Sequence, residues 1–323
     1  MSLSGLAALS LAARFPQFEE DPPPVAPTKL GRATRSIRCY DKPSFTAQEI
    51  CTHATDSVLH IHEEKLGETD NPHNAIWFQV DDGWVYSSFM QPVKSFLNSP
   101  LQSVSATGRL AEVTVPITEA WRNDDGNPTI AYRFYYGSTH WLDGVVTDAK
   151  ANVWYRVLDD RFQVYYYLLA KHLRPVSAAE LTPLAPQVSD KRIEINLAQQ
   201  RLVAYENDQA VYDTLLSSGR PGTETPTGRF HIRLKRPSRH MAASDGAGNG
   251  FDLPGVPWVS YFHWTGVAFH GTYWHNDYGR PRSRGCINLR PEDAKWIYRW
   301  TTPAVPAGKR LVQEQEGTEV IVF

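Results

Sequence analysis

The sequence predicts a mainly β protein with more than one domain, and three features of the chain support this prediction. Short runs rich in Val, Ile, Tyr, Phe and Trp alternate apolar with polar residues and end at turn signals such as Asp81-Asp82-Gly83, as half-buried strands do. The 323 residues include 10 Trp, 15 Tyr and 13 Phe, which is enough aromatic surface for several buried cores. At about 100–200 residues per domain, this length fits two or three domains.

The charge balance excludes a general attraction to nucleic acid. Lys and Arg number 33 against 35 Asp and Glu, which gives a net charge of −2, and no polybasic run is present. No apolar stretch reaches the length of about 18 residues that a membrane-spanning helix requires. We therefore expect neither a nucleic-acid partner nor a transmembrane span.

Residues 1–29 form a signal-like segment followed by a proline-rich linker. The run Gly5–Ala13 is apolar and built of small residues, and prolines with acidic residues follow from Pro16 to Pro27. Such a run suits the core and the cleavage side of an export signal, although basic residues are missing before it. The favoured interpretation is a truncated or mis-started export signal. The alternative is a frayed amphipathic N-terminus without a targeting role.

Two segments after this linker repeat the same pattern. Gly31 and Gly108 are 77 residues apart, as are Trp77 and Trp154, and each copy closes on a Pro-Val pair. Two anchors at one offset indicate an internal duplication.

Each copy is predicted to form a small β-barrel module, at residues 30–95 and 104–178. Both copies carry strand-forming residues in short runs separated by turn signals. In composition and in position they resemble bacterial SH3-like domains, which often accompany cell-wall enzymes.

The three cysteines are too few for a disulfide scaffold. Cys39 and Cys51 could pair with each other, or both could be small buried thiols, and the sequence leaves the two alternatives open. Cys286 remains unpaired in either case. Because free thiols oxidise outside the cell, a cysteine retained in an exported protein is a candidate reactive group.

A third unit follows at residues 188–323. Its period-two alternation predicts strands, which we place at Lys191–Leu197, Arg201–Tyr205, Ala210–Leu216 and Thr227–Leu234. The glycine-rich stretch Ser244–Gly250 predicts a loop that acts as a lid. A helix is expected over Pro291–Trp300, because proline suits the first helical position and acidic residues follow it.

Cys286 and His270 are the candidate nucleophile and base of this unit. His270 ends an apolar run 16 residues before Cys286, so a strand would hold the imidazole while a loop returns the thiol to it. Gly285 leaves room for a substrate carbonyl, and the amides of Gly285 and Cys286 are the candidate oxyanion hole.

Three arginines in the same loop, Arg280, Arg282 and Arg284, are expected to lower the pKa of the thiol and to suit an anionic substrate.

Taken singly, a cysteine is more often a buried small side chain and a histidine more often a core residue. A zinc site built from His263, His270, His275 and Cys286 lacks the spacing that makes such sites recognisable, so no metal is expected there.

The same unit resembles the catalytic domain of bacterial L,D-transpeptidases. The resemblance lies in Thr225-Pro226-Thr227-Gly228-Arg229-Phe230, in His270-Gly271-Thr272 and in Ser283-Arg284-Gly285-Cys286-Ile287-Asn288. It implies a β-sandwich with few short helices. It also implies a cysteine-dependent acyltransferase in which Cys286 is the nucleophile, His270 the general base and the backbone carbonyl of Gly271 the group that orients the imidazole.

The resemblance further implies the substrate-binding residues. Ser283 and Asn288 would shape the pocket, and Tyr261 would flank the donor site. The family usually carries His where this chain has Arg284, which puts a direct role of that position in doubt.

The function implied is cross-linking of peptidoglycan, and with it cell-wall synthesis and cell shape. The enzyme would attack a tetrapeptide stem, release D-Ala and pass the acyl group to a neighbouring stem. The alternatives are an L,D-carboxypeptidase and a wall-binding protein with an inert transpeptidase-like domain. We expect no cofactor, reaction with carbapenems, and a place in the cell envelope or outside the cell. The stem residue and the oligomeric state are left open.

Overall fold

The structure of the protein, a computed structural model, describes residues 29–124, 127–243 and 250–323. The predicted export segment and nearly all of the linker lie outside the described residues, as does most of the predicted loop Ser244–Gly250. The regular structure within the described ranges is mainly strand, which confirms the predicted fold class. No helix in those ranges is long and apolar enough to cross a membrane.

Residues 29–93, which we call module 1, form two antiparallel sheets with strand orders β4-β1-β8 and β3-β2-β7-β6-β5. The strands are β1 (Lys29–Ala33), β2 (Ile37–Tyr40), β3 (Glu49–His53), β4 (Val58–Ile61), β5 (Glu63–Leu66), β6 (Ile76–Val80), β7 (Gly83–Tyr86) and β8 (Met90–Val93). Their alternation of buried and exposed residues places Ile37, Phe78, Val85 and Met90 in one small core.

Residues 109–175, which we call module 2, form one antiparallel sheet of seven strands in the order β11-β10-β14-β13-β12-β9-β15. The strands are β9 (Arg109–Val113), β10 (Ile117–Asp124), β11 (Asn127–Tyr135), β12 (Thr139–Thr147), β13 (Val153–Leu158), β14 (Tyr165–Leu169) and β15 (Leu173–Pro175). Phe134, Leu142, Tyr155 and Leu168 belong to its core.

The two modules share a topological feature that agrees with the internal repeat. In module 1 the first strand pairs with the last, with Gly31 opposite Pro92, and in module 2 the first strand likewise pairs with the last, with Ala111 opposite Pro175. The sheets otherwise differ, since module 1 has two and module 2 has one. The resemblance to SH3-like barrels and the predicted domain boundaries stay predictions.

The C-terminal unit consists of two five-stranded sheets with orders β18-β17-β16-β25-β19 and β23-β22-β21-β20-β24. Its elements are β16 (Lys191–Asn196), β17 (Arg201–Glu206), β18 (Gln209–Leu215), β19 (Gly228–His231), β20 (Leu234–Ala243), β21 (Phe251–Tyr261), β22 (Ala268–Gly271), β23 (Ile287–Leu289), α1 (Pro291–Trp300), β24 (Val312–Gln313) and β25 (Glu319–Val322). Three predicted strands and the helix are confirmed. The predicted strand Thr227–Leu234 instead includes the whole of β19 and the first residue of β20, which lie on different sheets.

One core joins the two C-terminal sheets and the helix. Ile193 and Leu202 of the first sheet pack with Phe269 and Ile287 of the second, and the buried face of α1, which includes Ile297, belongs to the same cluster. Because Phe269 lies on β22 and Ile287 on β23, this core fixes the two strands that carry the site.

Candidate active site

Two adjacent parallel strands carry the candidate nucleophile and base. In the pairing of β22 with β23, Phe269 lies opposite Ile287 and His270 opposite Asn288. Cys286 directly precedes β23 and continues this register. Paired residues share a face of the sheet, as do residues two apart on one strand, so Cys286 and His270 are diagonal neighbours on one face.

His270 is almost completely buried, at 3% exposure. Its Nδ1 atom lies 3.1 Å from the carbonyl oxygen of Gly271, so Nδ1 donates and Nε2 keeps the lone pair. Burial lowers the pKa of the imidazole to about 4, since the surrounding protein disfavours the charged form. The ring is therefore neutral near pH 7 and able to accept a proton.

Gly271 has no room for a side chain. A Cβ atom there would lie 2.7 Å from Pro257 Cγ and 3.0 Å from the Cα atom of Pro291. The glycine thus lets β22 pass close to β21 and to the start of α1, and its carbonyl is held next to the imidazole of His270.

Cys286 is partly exposed and has a free thiol. Its Sγ atom lies 3.8 Å from the carbonyl oxygen of Gly266, to which it donates a weak hydrogen bond. Burial raises the pKa of the thiol above its usual value, against a smaller opposing effect of the backbone at Ala268. In the free protein the thiol of Cys286 is therefore protonated and the imidazole of His270 neutral.

Ser283 organises the turn before the thiol. Its hydroxyl accepts from the Gly285 amide at 3.0 Å and donates to the Cys286 carbonyl oxygen at 2.5 Å. The Gly285 amide is thus already engaged, which argues against the predicted share of this amide in an oxyanion hole. Gly285 adopts a φ of +115°, a region that disfavours any side chain, so the turn itself requires glycine.

Tyr261 lies across the sheet from Cys286. It pairs with Ala268, and extending the register of β22 and β23 by one residue places Ala268 opposite Cys286. Paired residues face the same side, so the tyrosine ring and the thiol flank Ala268 on one face.

Asn288 is buried and connects two segments to β23. Its backbone exchanges hydrogen bonds with Ser217, and its Nδ2 atom lies 2.9 Å from His275 Nε2. Its Oδ1 atom is buried without a hydrogen-bond partner. Asn288 thus ties β23 to both segments, and its Oδ1 can receive one more donor.

Residues 190–322 match the family model YkuD, the L,D-transpeptidase catalytic domain. We call this matched part of the chain the L,D-transpeptidase domain. The matched range includes both sheets of the C-terminal unit and the segment with His270 and Cys286.

Individual relatives cover part of the chain. YciB of Bacillus subtilis strain 168, which carries a provisional L,D-transpeptidase name, is 28% identical over 128 residues, which are 35% of this chain and 63% of that protein. The catalytic domain of Enterococcus faecium L,D-transpeptidase, solved by NMR, is 29% identical and covers 42% of this chain and 97% of that one, with a TM-score of 0.33. A crystal structure of a mutant of the E. faecium enzyme is 28% identical over 43% of this chain and 51% of that one, with a TM-score of 0.34. This chain thus spans less than two thirds of YciB.

The arginines of the L,D-transpeptidase domain do not act on the thiol as predicted. Arg280 pairs with Asp70 of module 1 at 2.7 Å, and Arg282 pairs with Asp277. Arg284 lies over the ring of Phe251, with its guanidinium carbon 5.6 Å from the ring centroid. The prediction that they lower the thiol pKa is wrong, because burial dominates there and raises it.

Thr225 is a site residue whose role the sequence did not reveal. Its Oγ1 atom accepts from the Gly219 amide at 2.9 Å and donates to the Gly285 carbonyl at 2.8 Å. The hydroxyl therefore joins the loop before β19 to the turn that carries Cys286. Its place in the Thr225-Pro226-Thr227-Gly228 motif was the available signal.

Module 2 holds the β20–β21 hairpin of the L,D-transpeptidase domain through acidic residues that follow β13. Asp160 accepts from the His240 amide at 2.8 Å and pairs with Arg239 at 2.5 Å. Asp159 bonds the imidazole of His240. No sequence pattern links these positions, since they lie about 80 residues apart in different units.

Proposed function

We propose that this protein is a peptidoglycan L,D-transpeptidase that works through a thioester on Cys286. The observation that carries the proposal is the register of β22 and β23, which puts Cys286 and a neutral His270 on one face of one sheet. The carbonyl of Gly271 supports the assignment because it accepts from Nδ1 of His270 and so leaves the lone pair on Nε2.

The first step follows from the protonation states. The thiol starts protonated and the imidazole starts neutral, so Sγ attacks the carbonyl of the third stem residue while His270 Nε2 takes the thiol proton. A backbone amide at Cys286 is the proposed donor to the oxyanion, since the Gly285 amide already donates to Ser283. His270 then gives its proton to the nitrogen of the departing D-Ala.

The second step decides between two products. The thioester is attacked by the side-chain amine of a neighbouring stem, which yields a cross-link and regenerates the thiol. If water attacks instead, the product is a tripeptide and the enzyme is an L,D-carboxypeptidase. We propose the amine as the acceptor, with Tyr261 flanking the donor peptide beside the thiol.

The setting of the reaction follows from its substrate. Peptidoglycan lies outside the cytoplasm, so we propose an exported protein of the cell envelope. Modules 1 and 2 contact the L,D-transpeptidase domain through ion pairs such as Arg280 with Asp70. In this proposal they hold the domain at the cell wall.

The deciding experiment incubates the full chain with purified disaccharide-tetrapeptide and analyses the products by mass spectrometry. A cross-linked dimer with released D-Ala supports the proposal, tripeptide alone identifies the carboxypeptidase, and no product in the wild type identifies the inert wall-binding alternative. Cys286→Ala must abolish both products. His62→Ala, which changes an exposed histidine of module 1, serves as the control and must retain them.

A carbapenem adduct is an independent measure of the nucleophile. The mass of the wild-type chain should rise by one carbapenem, and Cys286→Ala should not react. An adduct that persists in Cys286→Ala would assign the reactive group to another residue.

A further inference from the structure

Module 1 contains a cluster of metal-ligand side chains outside the candidate active site. Cys39 on β2 lies opposite Cys51 on β3, and His53 follows two residues later on the same face of β3. The two Sγ atoms and a ring nitrogen of His53 all lie within 4.8 Å of one another. Among the described residues this is the group of three or more such side chains that is close enough to hold one ion.

The distances fit a tetrahedral ion. Cys51 Sγ lies 3.4 Å from His53 Nε2. With metal–sulfur and metal–nitrogen bonds of about 2.3 and 2.0–2.1 Å, the sulfur–nitrogen edge of a zinc tetrahedron is about 3.5 Å. The separation of Cys51 and His53 is therefore already that of two ligands on one zinc ion.

A fourth ligand is available from the turn between β6 and β7. Asp82 Oδ2 lies 3.8 Å from the same His53 nitrogen, and the Asp82 side chain is 63% exposed, so it can turn toward an ion. The next residue, Gly83, packs closely against the buried thiol of Cys39. A Cβ atom at Gly83 would lie 2.9 Å from Cys39 Sγ and would fill the space beside it.

We propose that module 1 binds one zinc ion through Cys39, Cys51 and His53, with Asp82 as the fourth ligand. Two thiolates and an imidazole select zinc among the common divalent ions, and four protein ligands are typical of a structural site. Binding releases two thiol protons to solvent, and no oxidant or reductant is needed.

The site would stabilise an edge of a small sheet. In the order β3-β2-β7-β6-β5, β3 is the edge strand, and the ligands join it to β2 and to the β6–β7 turn. Module 1 has a small core, and small domains often depend on a metal or a disulfide for stability. A disulfide between Cys39 and Cys51 would leave the approach of His53 to Cys51, and that of Asp82 to His53, unexplained.

The test titrates the full chain with Co²⁺ and then Zn²⁺, after chelator treatment and in the presence of a phosphine reductant. We expect one Co²⁺ per chain, a thiolate-to-cobalt charge-transfer band in the near ultraviolet, intense visible bands of a tetrahedral ion, and their loss when Zn²⁺ displaces Co²⁺. Cys51→Ser should remove the charge-transfer intensity of its thiolate, and Asp82→Asn should weaken binding by about tenfold or more. Cys286→Ser is the matched control and should bind as the wild type does.

Three results would overturn the proposal. The first is the absence of Co²⁺ uptake. The second is loss of the cobalt spectrum in Cys286→Ser but not in Cys51→Ser. The third is a Cys39–Cys51 disulfide after purification without reductant, detected as a chain lighter by two hydrogens. Because Cys51→Ser could fail to fold, X-ray absorption at the zinc edge of the wild type gives a second measurement. Two sulfur and two nitrogen or oxygen neighbours are expected there, and the result does not depend on whether the protein is a transpeptidase.

Discussion

His240 of the β20–β21 hairpin is bonded to Asp159 of module 2, with 2.5 Å between Nδ1 and Oδ2. Both side chains are buried, and the other ring nitrogen of His240 bonds Asp252 on the partner strand of the hairpin. Burial alone would lower the pKa of His240, but the hydrogen bonds to Asp159 and Asp252 outweigh it and raise the pKa. The raised pKa favours the protonated imidazole, which lies between two carboxylates and joins the β20–β21 hairpin to module 2.

Asp159→Asn should therefore destabilise the protein and loosen the hairpin. Removing one partner of a buried charge pair costs about 3–5 kcal/mol. Chemical denaturation measures the loss, and hydrogen exchange should increase over residues 234–261. Asp208→Asn is the matched control, because its carboxylate is 87% exposed and pairs with Arg192 at the surface, where such pairs contribute about 0–1 kcal/mol.

The pH dependence of this effect has a definite sign. A raised histidine pKa gives stability that is fully present below the ordinary pKa of about 6.5 and is lost as the pH rises through the folded-state pKa. The difference in unfolding free energy between wild type and Asp159→Asn should shrink on going to alkaline pH. A difference that grows with pH would contradict the assignment of a cationic His240.

Acylation of Cys286 should have its acid limb near pH 4. Burial lowers the pKa of His270 to about 4, so the imidazole can accept the thiol proton at every pH above that value and loses this ability below it. The second-order rate of carbapenem adduct formation, measured by stopped-flow or mass spectrometry, should be nearly constant from about pH 5 to neutrality. His270→Ala should lower it by about 10²–10⁴-fold, the usual contribution of a general base.

Two results would contradict this mechanism. An acid limb near pH 6.5 would mean that His270 titrates as it does in water. A rate that rises tenfold per pH unit across the neutral range would mean that a pre-formed thiolate reacts without the imidazole.

Local rules were sufficient for some elements and not for others. The helix has the predicted bounds Pro291–Trp300, because the proline at its start and the acidic residues in its first turn are local signals. The shift of the Cys286 pKa was predicted in the wrong direction. Arg280, which was expected to act on the thiol, forms an ion pair with Asp70, more than 200 residues away in the sequence. Charge spacing in a sequence cannot show which partner an arginine chooses or how deeply a thiol is buried.

The site was likewise predictable only in part. The family motif named His270 and Cys286, whereas the engagement of the Gly285 amide by Ser283 depends on the exact path of the turn. The hydrogen bond between His240 and Asp159 joins two units of the chain. The alternation of apolar and polar residues predicts strands within each unit but does not predict how the units pack together. Long-range polar contacts of this kind become visible only when the sheets are assembled.

Arg284→Ala should raise KM for the tetrapeptide stem while kcat changes little. The side chain is exposed, lies over Phe251 and belongs to the turn before Cys286, so it can contact an anionic stem. Loss of one charge-assisted hydrogen bond corresponds to about a tenfold increase in KM. Steady-state kinetics of D-Ala release measure both constants, and Arg284→Lys should restore part of the affinity. An equal fall in kcat with unchanged KM would assign Arg284 to the transition state instead.

Chelation should separate the two sites of this protein. The residues proposed for acyl transfer are a thiol, an imidazole and backbone groups of the β22–β23 pair, whereas the proposed zinc ligands all lie in module 1. Treatment with a strong chelator should therefore lower the melting temperature of the full chain, because an ion that binds the folded state stabilises it. Below that temperature, the rate of carbapenem adduct formation at Cys286 should stay within about twofold of the untreated protein, since no step of acyl transfer uses the ion. A fall in rate that added Zn²⁺ restores at constant fold, judged by circular dichroism, would show that the ion acts on the L,D-transpeptidase domain.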